Sequence, residues 1–167
     1  LARDTDAPFA RMKREIDEHL MQRLGIGREE LAPWHYQDFF FQEAIPLGNL
    51  DLDKHWSDKD ILKIGEQFYA SIGLPVDRII ARSSMYEQPG KCQHAFAEDL
   101  DREGDVRTLN NLKNNNQWME TLLHELGHCV YWEYMDKSIP YILRDAAHTF
   151  TTEAVAMLMG RLPKDPK

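Results

Sequence analysis

Between residues 8 and 24, apolar side chains recur every three or four positions: Phe9, Met12, Ile16, Leu20 and Leu24. That period places them on one stripe of an α-helix, and Gly25 and Gly27 end it. Residues 29–50 show no such period. They hold Pro33-Trp34-His35-Tyr36 and Phe39-Phe40-Phe41, and read as irregular or short-strand material whose aromatic cluster packs in a core. A second helix is predicted from Ser57 to about Ile72, with Ile61, Ile64, Phe68 and Ile72 as its apolar positions. Asp60, three residues after Ser57, resembles the second half of a capping box. Gly73-Leu74-Pro75 stops this helix, and Val76 to Ser83 reads as a short helix or strand. Residues 84–100 read as a short strand or hairpin: Met85-Tyr86, a Pro89-Gly90 turn, then Cys92 to Ala97. A long helix is predicted from about Thr108 to Met135, although Asn110, Asn111 and Asn114 to Asn116 are poor helix formers in its first half. A loop with Pro140 follows, then a helix from about Thr149 to Gly160. The tail from Leu162 to Lys167, with Pro163 and Pro166, cannot be a packed helix. The pattern predicts a mainly α-helical fold with a small β element. It holds no repeats and no interdomain linker, so 1–167 reads as one domain.

A chain of 167 residues can bury a sizeable core. Its net charge of −8 argues against a nucleic-acid or anionic-membrane partner. No apolar run approaches the length of a membrane span. Cys92 and Cys129 are too few for a disulfide framework, and Cys129 reads as a small core residue.

The chemistry is concentrated in His124-Glu125-Leu126-Gly127-His128. Residues four apart on a helix differ by about 40° of rotation, so the two imidazoles project from one face and can share a Zn²⁺. Glu125 follows the first His, where a general base can reach the water that such a metal activates. The flanks Leu122, Leu123, Leu126, Cys129 and Val130 are uncharged, so the helix reads as buried. A buried His pair with a carboxylate between is costly unless something neutralises it. Two core histidines satisfied by backbone carbonyls would give no reason for that carboxylate.

A zinc peptidase site needs three protein ligands and one open position. The pattern H-E-x-x-H-x-x-G-x-x-H is excluded, because Tyr131 and Tyr134 stand at its Gly and second-motif His positions. The alternative is a Glu from a later helix, and Glu153 supplies one. Asp136, Asp145 and His148 compete with it. Glu153 is preferred because Phe150, Ala154, Met157 and Leu158 read as a buried helix face around it.

Several further segments carry a resemblance. Phe68-Tyr69-Ala70-Ser71-Ile72-Gly73-Leu74-Pro75, Ser84-Met85-Tyr86-Glu87-Gln88-Pro89 and His94-Ala95-Phe96-Ala97-Glu98-Asp99 are similar to F-x-S-L-G-L, S-M-L-E-K-P and H-A-S-A-W-D segments. With them the chain resembles the catalytic half of the angiotensin-converting-enzyme-like peptidyl-dipeptidases, and more loosely the thimet-type oligopeptidases. The resemblance implies the catalytic subdomain of a larger helical, zincin-like peptidase that hydrolyses short peptides. It implies Zn²⁺ on His124, His128 and Glu153, with Glu125 as base. His94 would contact bound peptide, and the Ala95 backbone would pair with it as an added strand. An endo-acting oligopeptidase is the alternative within the class, and a non-catalytic zinc or peptide-binding domain, inactive as this truncated chain, the alternative outside it. Three departures stand out. Met157 occupies the position of a family Asp that supports the zinc site, leaving Glu120 as a candidate substitute. Asn111 stands where a family disulfide partner would be. The family places its oxyanion-stabilising Tyr and His well beyond the third ligand, so the chain reads as a fragment whose apolar helix faces invite self-association.

Overall fold

The computed structural model describes residues 2–36 and 51–164. The Phe39-Phe40-Phe41 cluster and the last three residues of the tail lie outside these. The chain divides into two compact units, Leu1–Asp51 and Leu52–Lys167.

In the first unit helix α1 (Ala2–Leu24) begins earlier than the apolar stripe and contains Pro8. Of that stripe Leu20 is fully buried, whereas Phe9, Met12 and Leu24 are exposed. Buried Asp17 ties the helix to the turns that follow. It accepts from Tyr36 Oη at 2.5 Å and pairs with Lys13 and, at 3.4 Å, with Arg28.

The second unit is built around one long helix. Helix α2 (Ile61–Ser71) starts later than Ser57 because Asp60 is itself the cap, its carboxylate accepting from Lys63 N at 3.1 Å. Val76 to Ser83 resolves into a short helix, α3 (Asp77–Arg82). Strands β1 (Phe96–Asp99) and β2 (Val106–Leu109) pair antiparallel, with Phe96 opposite Leu109 and Asp99 opposite Val106. Of the strand or hairpin expected within 84–100, the strand is β1 at the end of the segment, and Pro89-Gly90 makes a turn without closing a hairpin. Ser84 instead flanks the far side of β2, where its N–H donates to Thr108 O at 3.0 Å and its carbonyl accepts from Asn110 N at 2.8 Å. Strand β2 thus takes residues expected to begin the long helix. Val106 and Thr108 are buried and Arg107 is exposed, a period of two. The helix itself, α4 (Asn116–Glu133), starts at the cap Asn115, whose side chain accepts from Trp118 N at 2.8 Å. Asparagine competes poorly inside helices and well at their start, so the Asn-rich run became an entry to α4. Asn111 is buried, and its Nδ2 donates to Cys92 O at 2.9 Å and Gln93 O at 3.2 Å. These bonds tether the approach to β1, and both cysteines are free thiols.

The core gathers Ile61, Tyr69, Ile79, Met85 and Val106 around the Met119, Leu122 and Leu126 face of α4. Tyr69 Oη donates to Leu123 O at 2.5 Å. Cys129 is fully buried there, as its apolar flanks implied. Among the described residues no helix is long and apolar enough to cross a membrane.

Helix α5 (Thr149–Gly160) packs closely on α4. Its buried residues are Thr152, Ala156 and Gly160, one per turn. The face expected to be buried is the opposite one, for Phe150, Met157 and Leu158 are 72%, 56% and 62% exposed. Proximity explains the difference. A Cβ at Gly127 would lie 2.8 Å from Ala156 Cα, and one at Gly160 would lie 3.2 Å from His124 Cβ. Helices this close admit only small side chains between them. Gly127→Ala tests the contact. Alanine favours an isolated helix by about 1 kcal/mol over glycine, but here its methyl would strike the α5 backbone. We expect a net loss of about 1–3 kcal/mol in denaturant-induced unfolding. An unchanged or raised midpoint would show that α5 does not approach so closely.

Candidate metal centre

The α4–α5 contact brings together the three residues expected to hold metal. His124 and His128 rise from consecutive turns of α4 with their Nε2 atoms 3.2 Å apart. Glu153, in the second turn of α5, faces both. Its Oε2 lies 3.6 Å from His124 Nε2 and its Oε1 lies 3.5 Å from His128 Nε2. One donor atom from each residue fits within 4.8 Å of the others. Two nitrogens and one carboxylate oxygen form a set suited to zinc. At metal–ligand lengths of 2.0–2.1 Å, neighbouring ligands of a tetrahedral site are about 3.3 Å apart. The observed separations bracket that edge, and rotation about the soft terminal torsion of Glu153 can turn one oxygen towards both rings. The residues present fit the ion.

The other acids and the histidine weighed as third ligand are engaged elsewhere. Asp136 accepts from Ser138 N at 2.8 Å. His148 caps α5, its Nδ1 accepting from Phe150 N at 3.0 Å. Asp145 takes hydrogen bonds from Arg102 at 3.0 Å and Trp132 at 3.3 Å. Met157 points to solvent and cannot support the site. Glu120 accepts from Lys164 Nζ at 2.7 Å and acts on His124 by charge.

Burial sets the protonation states. It lowers the pKa of His124, against the charges of Glu153 and Glu120, and that of His128, where the neighbouring His124 adds to it. Both rings therefore favour the neutral form that binds metal. Glu125, 7% exposed, is pushed the other way, to about 7, by burial and then by the Glu153 charge.

These groups line a cleft of about 370 Å³. Its opposite wall is β1. Thr108 O and Asn110 N face Ser84, so Arg107 and Leu109 bond towards β1, and by alternation Ala97 and Asp99 turn their backbone groups to the outer edge. Ala95, Phe96 and Ala97 line the cleft, whereas exposed His94 is outside its lining. Trp132 and Thr152 also line it and were not singled out in the sequence. Trp132 was the more accessible of the two, because it continues the four-residue spacing of His124 and His128.

The family model of angiotensin-converting enzyme matches residues 42–164. Angiotensin-converting enzyme of Mesocricetus auratus is 29% identical over 122 residues, which make up 70% of this chain and 9% of that protein. The chain matches only this small part of the relative's length. The match nevertheless takes in most of the chain, including α4, α5, β1 and every residue of the cleft wall. This chain belongs to the angiotensin-converting enzyme family of peptidases.

Proposed function

We propose that this chain carries the zinc centre of a peptidyl-dipeptidase-like metallopeptidase that hydrolyses short peptides. The observation that carries the reading is the triangle of His124, His128 and Glu153 in a cleft, with the buried carboxyl of Glu125 beside it. Zn²⁺ would be held by those three residues, and it would supply a Lewis acid for the scissile carbonyl and for water. Glu125 is the proton carrier. Beside that water, its carboxylate would accept a proton and return it to the leaving amine. Among the described residues no strand pairs with the outer edge of β1, so the backbone from Ala95 through Ala97 would pair with an extended peptide along the cleft. His94, at the entrance to β1, is proposed to contact that peptide from outside the cleft. The 167 residues would form part of one larger catalytic domain.

Metal content tests the ligands. His124→Ala or His128→Ala should remove most of the zinc, and Glu153→Gln should weaken it by about 10-fold or more, read by competition with a chromophoric chelator. Stoichiometric zinc retained in a His124→Ala/His128→Ala protein would rule the site out. Turnover of a quenched fluorescent peptide, abolished by Glu125→Gln with zinc still bound, would separate a peptidase from a binding domain.

The raised pKa of Glu125 predicts a pH dependence in the metal-free protein. The folded state binds this proton more tightly than the unfolded state. Stability from the group is therefore full below about 4.5 and is lost as pH rises through about 7. The shift corresponds to up to about 3 kcal/mol. Unfolding curves of the wild type and Glu125→Gln should diverge across that window, the wild type losing stability relative to the variant as pH rises. Parallel curves would place the carboxyl in water.

Phe150, Met157 and Leu158 expose a continuous apolar strip on α5. We expect the isolated chain to self-associate through it. Sedimentation should show oligomers that Met157→Glu together with Leu158→Glu dissociates, and a monomeric wild-type chain would refute this.

A further inference from the structure

His128 lacks the anchor that a metal-binding imidazole usually has. Such a ring is ordinarily oriented through its second nitrogen, which donates to a carboxylate, carbonyl or water. Here Nδ1 is buried and has no hydrogen-bond partner among the described residues. The Nε2 edge of the ring meets His124 and Glu153, and its face packs on Trp132, one turn further along α4. The two rings stack with centroids 5.9 Å apart and planes at 25°.

Trp132 is in turn held at its far edge. Its Nε1 donates to Asp145 Oδ1 at 3.3 Å, and Arg102 Nη2 donates to Asp145 Oδ2 at 3.0 Å. Arg102 lies at the tip of the β1–β2 hairpin with φ of +56°, a conformation a side-chain-bearing residue adopts at a cost. Besides Asp145, two further contacts hold it: its N–H donates to Asp99 Oδ1 at 2.9 Å, and its guanidinium lies 5.5 Å over the Tyr141 ring. Asp145 and Tyr141 both belong to the segment that leads from α4 into α5 and so to Glu153. The same link therefore reaches two of the three candidate ligands, His128 through Trp132 and Glu153 through the connecting segment.

We propose that Arg102, Asp145 and Trp132 are positioning residues, a chain of contacts from the hairpin tip that sets the His128 imidazole and the approach of Glu153 for metal. The proposal rests on the zinc reading above. None of the three is a candidate ligand. The Arg102 and Asp145 side chains are 34% and 46% exposed, and ion pairs in such settings contribute little to folding. Their effect belongs in the geometry of the site.

The test is a double-mutant cycle on zinc affinity. Arg102→Ala should weaken zinc by about 3–10-fold, less than the loss of a direct partner of a ligand. Trp132→Phe, which keeps an aromatic face and removes the Nε1 donor, should cost a similar factor. The double variant should lose little more than either single one, because both break the same chain. Unchanged affinity in Arg102→Ala would overturn the proposal. So would an equal Arg102→Ala effect in the wild-type and Trp132→Phe backgrounds. A second measurement needs no metal. The ring protons of His128 should carry a ring-current shift from Trp132 that moves in Arg102→Ala, and a shift that stays put would also overturn the proposal. Zinc failing to bind the unsubstituted protein would sink the metal reading instead, and the resonance measurement would still decide whether Arg102 sets the ring.

Discussion

The candidate site depends on how closely two helices can approach. Gly127 on α4 faces the backbone of α5 at Ala156, and Gly160 on α5 faces the turn that carries His124. No side chain separates the helices at these points, so the short carboxylate of Glu153 can reach imidazoles that project from α4. A helix pair held apart by leucines would leave Glu153 too distant to share an ion with them. The small residues therefore act on function through distance, although none of them bears a chemical group.

That proximity also creates the electrostatic problem that a metal would solve. Two imidazoles and two carboxylates, those of Glu153 and Glu125, converge on one cleft and are partly removed from water. Desolvation disfavours the charged forms of His124, His128 and Glu125. The histidines respond by staying neutral, and Glu125 responds by holding its proton to about 7. The histidine shifts favour the form that binds metal, whereas the Glu125 shift holds back the ionised form that a general base needs. A dication at the triangle would reverse the balance for the carboxylates and offset the cost of burying them.

The opposite wall of the cleft is supported separately. Strand β1 is fixed through β2 to Ser84 and the α2–α3 core, and Asn111 tethers the residues that enter it. The metal triangle and the β1 edge thus meet across the cleft from different parts of the core. The hairpin tip and the segment between α4 and α5 join the two walls through Arg102 and Asp145.

Local pattern was enough for much of this. His124, Glu125 and His128 lie on one helix, and the four-residue spacing alone places the two imidazoles on one face. The apolar flanks of that helix announced its burial, and Gly73-Leu74-Pro75 marked a stop that the chain obeys. Glu153 stands beside the histidine pair while Asp136, Asp145 and His148 bond elsewhere, but the reason for preferring it failed. Phe150, Met157 and Leu158 are the exposed face of α5, because hydrophobicity along a single helix cannot reveal which neighbour lies near or how close. Strand β2 was hidden for a similar reason. Val106 to Leu109 is too short to declare its period, and its pairing partners lie both before it and across a turn. The role of Trp132 also required tertiary structure, since its links to Asp145 and Arg102 join segments distant in sequence. Spacing within one helix determined which donors this chain offers. The distance between helices, set by glycine and alanine, decided which of them meet.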